Sequence, residues 1–306
     1  MAGQKVVILL ATLNGGSFLR EQLASYSAQT HSDWELVVSD DGSADDTIAI
    51  ARSFAESIPQ PVTILQGPAK GHCLNFLSMI RSAPAEGDYF AFSDQDDVWM
   101  EEKLARAIAW LQSVPADRPA LYFSRTMLIS EDGQFLGFSP LFVRPPAFRN
   151  ALVQNIGGGN TMVLNKAAHR VLAGAAHAKP VSHDWWTYQV ITGVGGLAHY
   201  DSWPSLKYRQ HGQNLIGSNA GWRAGLRRLR GFLRHRFSDW NEINLAALRA
   251  VNMPLTRENR LAFETFAEAR QASSPRSLYL LWRSGVYRQN LFETVALYWG
   301  ALLKRI

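Results

Sequence analysis

A chain of 306 residues, 47% hydrophobic and 19% charged, carries enough apolar material for one large domain, or a domain with a tail, and is too apolar to be disordered throughout. Its single cysteine, Cys73, excludes an internal disulfide framework and, with no leader pattern expected at the start, suits a reducing compartment. The net charge of +5 is local: Arg223, Arg227, Arg228, Arg230, Arg234 and Arg236 fall in Trp222–Phe237, which holds no acid, and these six exceed the whole surplus.

In chain order, the run Val6-Val7-Ile8-Leu9-Leu10-Ala11 is too short to cross a membrane and predicts a buried parallel strand over 5–11. Thr12-Leu13-Asn14-Gly15-Gly16 breaks it, and Ser17 is expected to cap a helix running to about Ala28. Trp34–Ser39 is a second strand, followed by the sharp turn Asp40-Asp41-Gly42-Ser43 and a helix to about Ser57 with Ser43 or Asp45 at its cap. Pro61–Leu65 is a third strand, and Gly71–Arg81 a third helix. A fourth strand, Asp88–Phe92, leads into Ser93-Asp94-Gln95-Asp96-Asp97-Val98-Trp99, before a helix over Met100–Ser113 and a strand over Ala120–Ser124. Such alternation predicts an α/β fold with a mostly parallel sheet and flanking crossover helices. Ligands of such sheets bind beyond the carboxyl ends of the strands. Thr12 with Asn14, Asp40 with Asp41, and Asp94 with Asp96 and Asp97 are all expected on that rim. No Gly-rich phosphate loop follows any strand, so a metal is the expected means of neutralising phosphate.

After residue 125 the pattern changes. Ser130-Glu131-Asp132-Gly133 between two apolar runs predicts a hairpin. Gly157-Gly158-Gly159-Asn160 is either a close backbone approach to a ligand or a flexible loop. Lys166–Ala176 predicts a helix. His183-Asp184-Trp185-Trp186 places a carboxylate beside two indoles, which suits a general base near a sugar ring; alternatively, Asp184 caps a helix whose tryptophans are core. His211 ends a strand that starts near Pro204, and is either a metal ligand or structural.

The acidic stretch is the centre of the reading. Three carboxylates within four residues repel one another, and a divalent cation removes that repulsion. In an extended chain Asp94 and Asp96 point to the same side and could hold Mg²⁺ or Mn²⁺. A solvated acidic turn is the plainer alternative.

The motifs V-V-I-L-L-A-T-L-N-G, D-W-E-L-V-V-S-D-D-G-S, F-S-D-Q-D-D-V-W, H-D-W-W and Y-R-Q-H-G-Q-N together resemble the family 2 inverting glycosyltransferases. More narrowly, they are similar to the bacterial rhamnosyltransferase-like branch that builds surface polysaccharides. The resemblance covers about residues 4–217 and implies a GT-A fold. Residues 1–115 would form the nucleotide-binding half and 116–217 the acceptor-binding half, with a basic, amphipathic helical region at 218–306. It implies nucleotide-sugar contacts at Thr12, Asn14, Asp40, Asp41, Asn75 and Asp94, and metal ligation by Asp94, Asp96 and His211. The base would be Asp184; His183 stands where many members have a Glu. Asn160, Trp185 and Trp186 are the acceptor or sugar candidates. The processive Q-x-x-R-W motif is absent, so single-sugar transfer is implied. The expected donor is a nucleoside-diphosphate sugar, dTDP-rhamnose before a UDP-sugar, and the acceptor a glycan or lipid-linked glycan. The rivals are a sugar nucleotidyltransferase, which would carry a basic Gly-rich loop after strand one, and a non-catalytic glycan or polyanion binder.

The Trp222–Phe237 segment has helical spacing, with Trp222, Leu226, Leu229, Phe232, Leu233 and Phe237 on one face. It reads either as a helix lying on an anionic membrane or as one packed on the domain. Leu278–Ile306 is also apolar and could pack on the core, pair with a second subunit or lie on a membrane. The expected location is the cytoplasm, free or peripheral on the inner face of the cytoplasmic membrane, with no nucleic-acid partner.

Overall fold

The computed structural model describes residues 4–84, 86–211 and 236–303. The Arg-rich segment lies almost entirely outside the described residues.

The first half follows the expected alternation: β1 (Val6–Thr12), α1 (Leu19–Ser27), β2 (Trp34–Asp40), α2 (Thr47–Ser57), β3 (Val62–Gln66), α3 (His72–Ser82), β4 (Tyr89–Ser93), β5 (Val98–Trp99) and α4 (Lys103–Leu111). The second half holds β6 (Ala120–Ser130), β7 (Phe135–Phe138), α5 (Phe148–Ala151), a 3₁₀ turn at Gly159–Thr161, β8 (Val163–Asn165), α6 (Lys166–Ala175), α7 (His183–Gly193) and β9 (Leu197–Gln210). Four helices close the described chain: α8 (Arg236–Ala250), α9 (Arg257–Gln271), α10 (Ser274–Ser284) and α11 (Leu291–Leu302).

The nine strands of the described residues form one sheet, in the order β3-β2-β1-β4-β8-β6-β9-β5, with β7 paired to β6 as the predicted hairpin. The strands β3, β2, β1 and β4 are parallel. β1 shows why its apolar run has no polar face. Val6, Ile8 and Leu10 enter one core layer with Leu19, Leu23 and Tyr26 of α1 and Leu104 and Ile108 of α4. Val7, Leu9 and Ala11 enter the other, with Phe76 and Ile80 of α3. A strand buried on both faces needs apolar residues at every position.

Several local expectations are corrected. The residue before α1 is Phe18, with no side-chain cap, so Ser17 does not cap the helix. Asp46 precedes α2, while Asp45 accepts from Thr47 N at 3.1 Å and from Gly16 N at 2.9 Å, tying the helix to the loop after β1. β6 runs eleven residues, because β9 pairs along its whole length through register shifts near Arg125.

Helix α7 is the hub of the second core layer. Every residue from Trp185 to Gly193 is buried, as is His183; Asp184 alone of the helix is not. A helix apolar around its circumference must be enclosed. Here the sheet and α6 cover one side, and the C-terminal helices share the same core through Leu245, Leu248, Phe263, Phe266, Leu281 and Leu297. Asn259 Nδ2 donates to the carbonyls of Thr192 and Gly193 at the end of α7, at 2.9 and 3.0 Å. No helix among the described residues is long and apolar enough to cross a membrane.

Because α9 is part of this core, Phe266→Ala should destabilise the whole chain by about 3–5 kcal/mol. Calorimetry should show one transition moving to lower temperature; a separate C-terminal transition moving alone would contradict the shared core.

Candidate active site

The rim begins at β1 and β2, whose register sets Thr12 opposite Asp40. Thr12 Oγ1 donates to Asp40 Oδ1 at 2.9 Å, and Asp40 also accepts from Ser43 Oγ (2.5 Å), Ser43 N (2.8 Å) and Gly42 N (3.1 Å). Asp41 accepts from Ala69 N at 2.7 Å and Gly71 N at 2.8 Å, pinning the loop before α3. Asn14, exposed and at φ 49°, accepts from Ala44 N at 2.9 Å. Asn75 is buried and braces α3 against β2: its Nδ2 donates to Ser39 O at 2.8 Å and its Oδ1 accepts from Ser39 Oγ at 2.5 Å. These side chains thus shape the loops of the rim.

β4 ends at Ser93, and the chain then bends through residues 95–96 before β5. The extended geometry expected for Asp94 and Asp96 therefore does not hold. Each carboxylate instead meets a partner from a different element. Asp94 Oδ1 lies 3.0 Å from His72 Nε2, at the start of α3. Asp96 Oδ2 lies 2.7 Å from His211 Nε2, just past β9. Asp97 is fully buried and accepts from Asn160 Nδ2 at 2.5 Å. Gln95 closes the loop onto β1's end, accepting from Leu13 N (2.8 Å) and donating to Leu13 O (3.0 Å).

Charge repulsion within this loop is visible in its proton affinities. Burial pushes the Asp94 carboxyl up, but the hydrogen bond and charge of His72 outweigh it and hold Asp94 below the usual range. Burial and the neighbouring Asp94 charge raise Asp96 despite His211. Burial, then Asp96 and Asp94, raise Asp97 well above an ordinary aspartate. Carboxylate oxygens suit Mg²⁺ or Mn²⁺, an imidazole nitrogen beside them favours Mn²⁺ over Mg²⁺, and a cation relieves the repulsion. No group of three His, Cys, Asp or Glu side chains among the described residues forms a metal cage by itself.

Across the site, Asp184 lies in the first turn of α7, with Ser182 rather than Asp184 at the cap position. Its Oδ2 accepts from Asn155 Nδ2 at 2.9 Å and its Oδ1 from Trp185 N at 2.7 Å. His183 connects this helix to the acidic loop: its ring is 5.1 Å from that of His72, stacks on Phe76 at 4.0 Å, and meets Phe92 edge-on at 5.2 Å.

A family model, Glycosyl transferase family 2, matches residues 7–159, half of the chain and all of the acidic rim. The chain belongs to glycosyl transferase family 2. This glycosyltransferase is 30% identical over 243 residues to the dTDP-rhamnosyl transferase RfbG of Shigella flexneri, covering 74% of this chain and 80% of that one. It is 29% identical over 118 residues to the putative glycosyltransferase EpsE of Bacillus subtilis, over 36% of this chain and 40% of that one. Among solved structures, residues 1–349 of Staphylococcus aureus TarS share the fold at a TM-score of 0.58 and 14% identity, covering 98% of this chain and 88% of that one. The mannosyltransferase PcManGT of Pyrobaculum calidifontis, solved with GDP-Man and Mn²⁺, aligns at a TM-score of 0.50 and 18% identity, over 98% and 85%. The mostly parallel sheet with flanking helices is thus of the GT-A type.

Three sugar or acceptor candidates are corrected by burial in this glycosyltransferase. The Trp185 indole is core, with Nε1 donating to Ala151 O at 2.6 Å. Trp186 is fully buried and donates to Ala175 O at 3.3 Å. Neither offers a face to a sugar, because α7 is enclosed. Asn160 is buried and spends its amide on Asp97.

Other site residues escaped the sequence reading. His72 follows Gly71 at the carboxyl side of β3, so the rim rule alone could have found it. Arg209 stands two residues before His211 on β9. It donates to Asp96 O (3.2 Å) and Glu131 O (2.6 Å) and pairs with Glu21 at 2.7 Å, clamping the acidic loop. Asn155 lies in irregular chain and carries no local signal.

Burial lowers the His183 imidazole to about 4, and both ring nitrogens are buried without hydrogen-bond partners. Between about 4 and the unfolded value near 6.5, the unfolded chain binds the extra proton. Stability should therefore fall as pH drops through that window, by on the order of 3 kcal/mol from this group. Melting curves of His183→Leu should show a shallower loss from pH 6.5 to 4; an unchanged slope would contradict the assignment.

Proposed function

We propose that this glycosyltransferase moves a single sugar from a nucleoside-diphosphate sugar to a glycan or lipid-linked glycan acceptor, with inversion at the anomeric carbon. dTDP-rhamnose is the favoured donor, supported by the similarity to the dTDP-rhamnosyl transferase of Shigella flexneri, and a UDP-sugar is second. The observation that carries the reading is the meeting of two carboxylate sites. Asp94 and Asp96 lie past the parallel strands, and Asp184, the one open residue of buried α7, is joined to them through the contact of His183 with His72.

Residues 1–115 are assigned to the donor and 116–217 to the acceptor, while the described helices α8 to α11 brace α7. Thr12, Asn14, Asp40 and Asp41 frame the nucleoside, and Asn75 holds their loops together. Asp94, Asp96 and His211 would hold the divalent cation, which when bound offsets the charge of the departing diphosphate. Arg209 fixes the main chain of Asp96 for this task. Asp184 accepts the proton of an acceptor hydroxyl at a carboxylate oxygen, oriented by Asn155. The freed oxygen bonds to the anomeric carbon while the opposite bond to the diphosphate breaks, and the nucleoside diphosphate leaves.

Asp184→Asn keeps the shape and removes the base. Transfer, read as diphosphate release with acceptor present, should fall about 10²–10⁴-fold, with donor affinity within a few-fold of wild type. Near-normal turnover would remove Asp184 from the mechanism.

A lipid-linked acceptor fits the outer face of α10 and α11. Trp282 and Phe292 there are 70% and 84% exposed, with Tyr279, Leu291, Val295, Trp299 and Leu303 also open. Trp and Tyr favour the headgroup level of a bilayer, and Arg283 in the last turn of α10 suits anionic lipid. Trp282→Ala with Trp299→Ala should cut co-sedimentation with phosphatidylglycerol vesicles at least several-fold; undiminished pelleting would place the membrane contact elsewhere.

A further inference from the structure

Lys103 has no part in the mechanism above, yet it is fully buried in the first turn of α4. Lysine is almost never enclosed unless paired. Its ammonium group donates to the backbone carbonyl of Asn160 and lies 3.6 Å from the centre of the Trp99 ring. Asn160 in turn holds Asp97 by its side chain at 2.5 Å, and Asp97 Oδ1 is buried without a hydrogen-bond partner. Lys103 and Asp97 are therefore joined through one shared residue.

The path continues. Gly159 presses its α-carbon on the His183 ring so closely that a Cβ would overlap Nε2. That contact explains the need for glycine there. His183 opens α7 and precedes Asp184. Contacts thus run unbroken from the acidic loop, through Asp97, Asn160, Gly159 and His183, to Asp184, with Lys103 fastened at the middle.

We propose that Lys103 is a positioning residue: by holding the Asn160 carbonyl it fixes the spacing between the loop Asp94–Asp97 and the start of α7, so that Asp184 addresses the donor in line. This rests on the function proposed above. Reactions that depend on alignment lose about 10²-fold for a displacement of about 1 Å.

Lys103→Met keeps the stem and removes the donor. Affinity for dTDP or UDP with Mn²⁺, and KM for the donor, should stay within about 3-fold, while kcat falls about 30- to 100-fold. The imidazole resonances of His183, observed in histidine-labelled protein, should shift. Adding Asp97→Asn removes the stranded carboxylate and should restore the melting temperature but not kcat, because the Asn160 carbonyl still lacks its donor. Recovery of kcat together with Tm would make Lys103 a charge-balancing residue only and overturn the proposal, as would wild-type kcat in Lys103→Met. Where Lys103→Met alone does not fold, the double variant is read instead. If the wild type transfers no sugar from any donor tried, the functional reading fails. The tie is then judged on the His183 resonances of the double variant, where unshifted signals would overturn it.

Discussion

Three aspartates at the end of one strand cannot all be charged and buried unless something answers each of them, and three separate elements from both halves of the chain supply the answers. Asp94 takes His72 from α3, Asp96 takes His211 from beyond β9, and Asp97 takes Asn160 from the glycine-rich loop. Gln95, between them, closes onto β1. One acidic loop therefore draws on elements from residue 13 to residue 211. The repulsion that makes the loop costly also makes it receptive to a cation, and Asp96 is raised by burial first and then by the Asp94 charge.

The second constraint is the enclosure of α7. A helix buried on every side cannot offer tryptophans to a ligand, but it can hold one polar residue at its open end with little freedom to move. Asp184 occupies that end, with Asn155 fixing one oxygen. The C-terminal helices contribute by covering α7, and Asn259 anchors them to its last carbonyls. They therefore contribute to the precision of the site by holding α7 in place.

The parallel half was legible because its physics is local. A strand buried on both faces must be apolar throughout, as Val6–Ala11 is, and turn residues must follow it. The rim then follows from topology, which is why Thr12, Asp40 and Asp94 could be grouped from spacing alone. The partners of the carboxylates were harder. His72 and Arg209 come from elements distant in sequence, and only the register of β9 against β5 and β6 brings Arg209 to Asp96. Trp185 and Trp186 misled because an indole beside a carboxylate has the same composition whether it faces a sugar or the core. The enclosure that decides between the two comes from α5 and α6, whose Ala151 and Ala175 carbonyls take the indole donors, and from Trp240 of α8. Asn160 was similarly ambiguous until its buried partner Asp97 was seen.

The central claim is that the acidic loop binds a nucleoside diphosphate together with a divalent cation. Thermal shift with dTDP, UDP, GDP and CDP, each with Mn²⁺, Mg²⁺ or EDTA, tests it most directly, since a ligand at about 100 times its Kd adds about 2.7 kcal/mol to the native state. The account predicts a rise of a few degrees with dTDP or UDP in the presence of metal, abolished by EDTA and in Asp96→Ala. A rise of the same size in EDTA, or no rise with any diphosphate in folded protein, would contradict it.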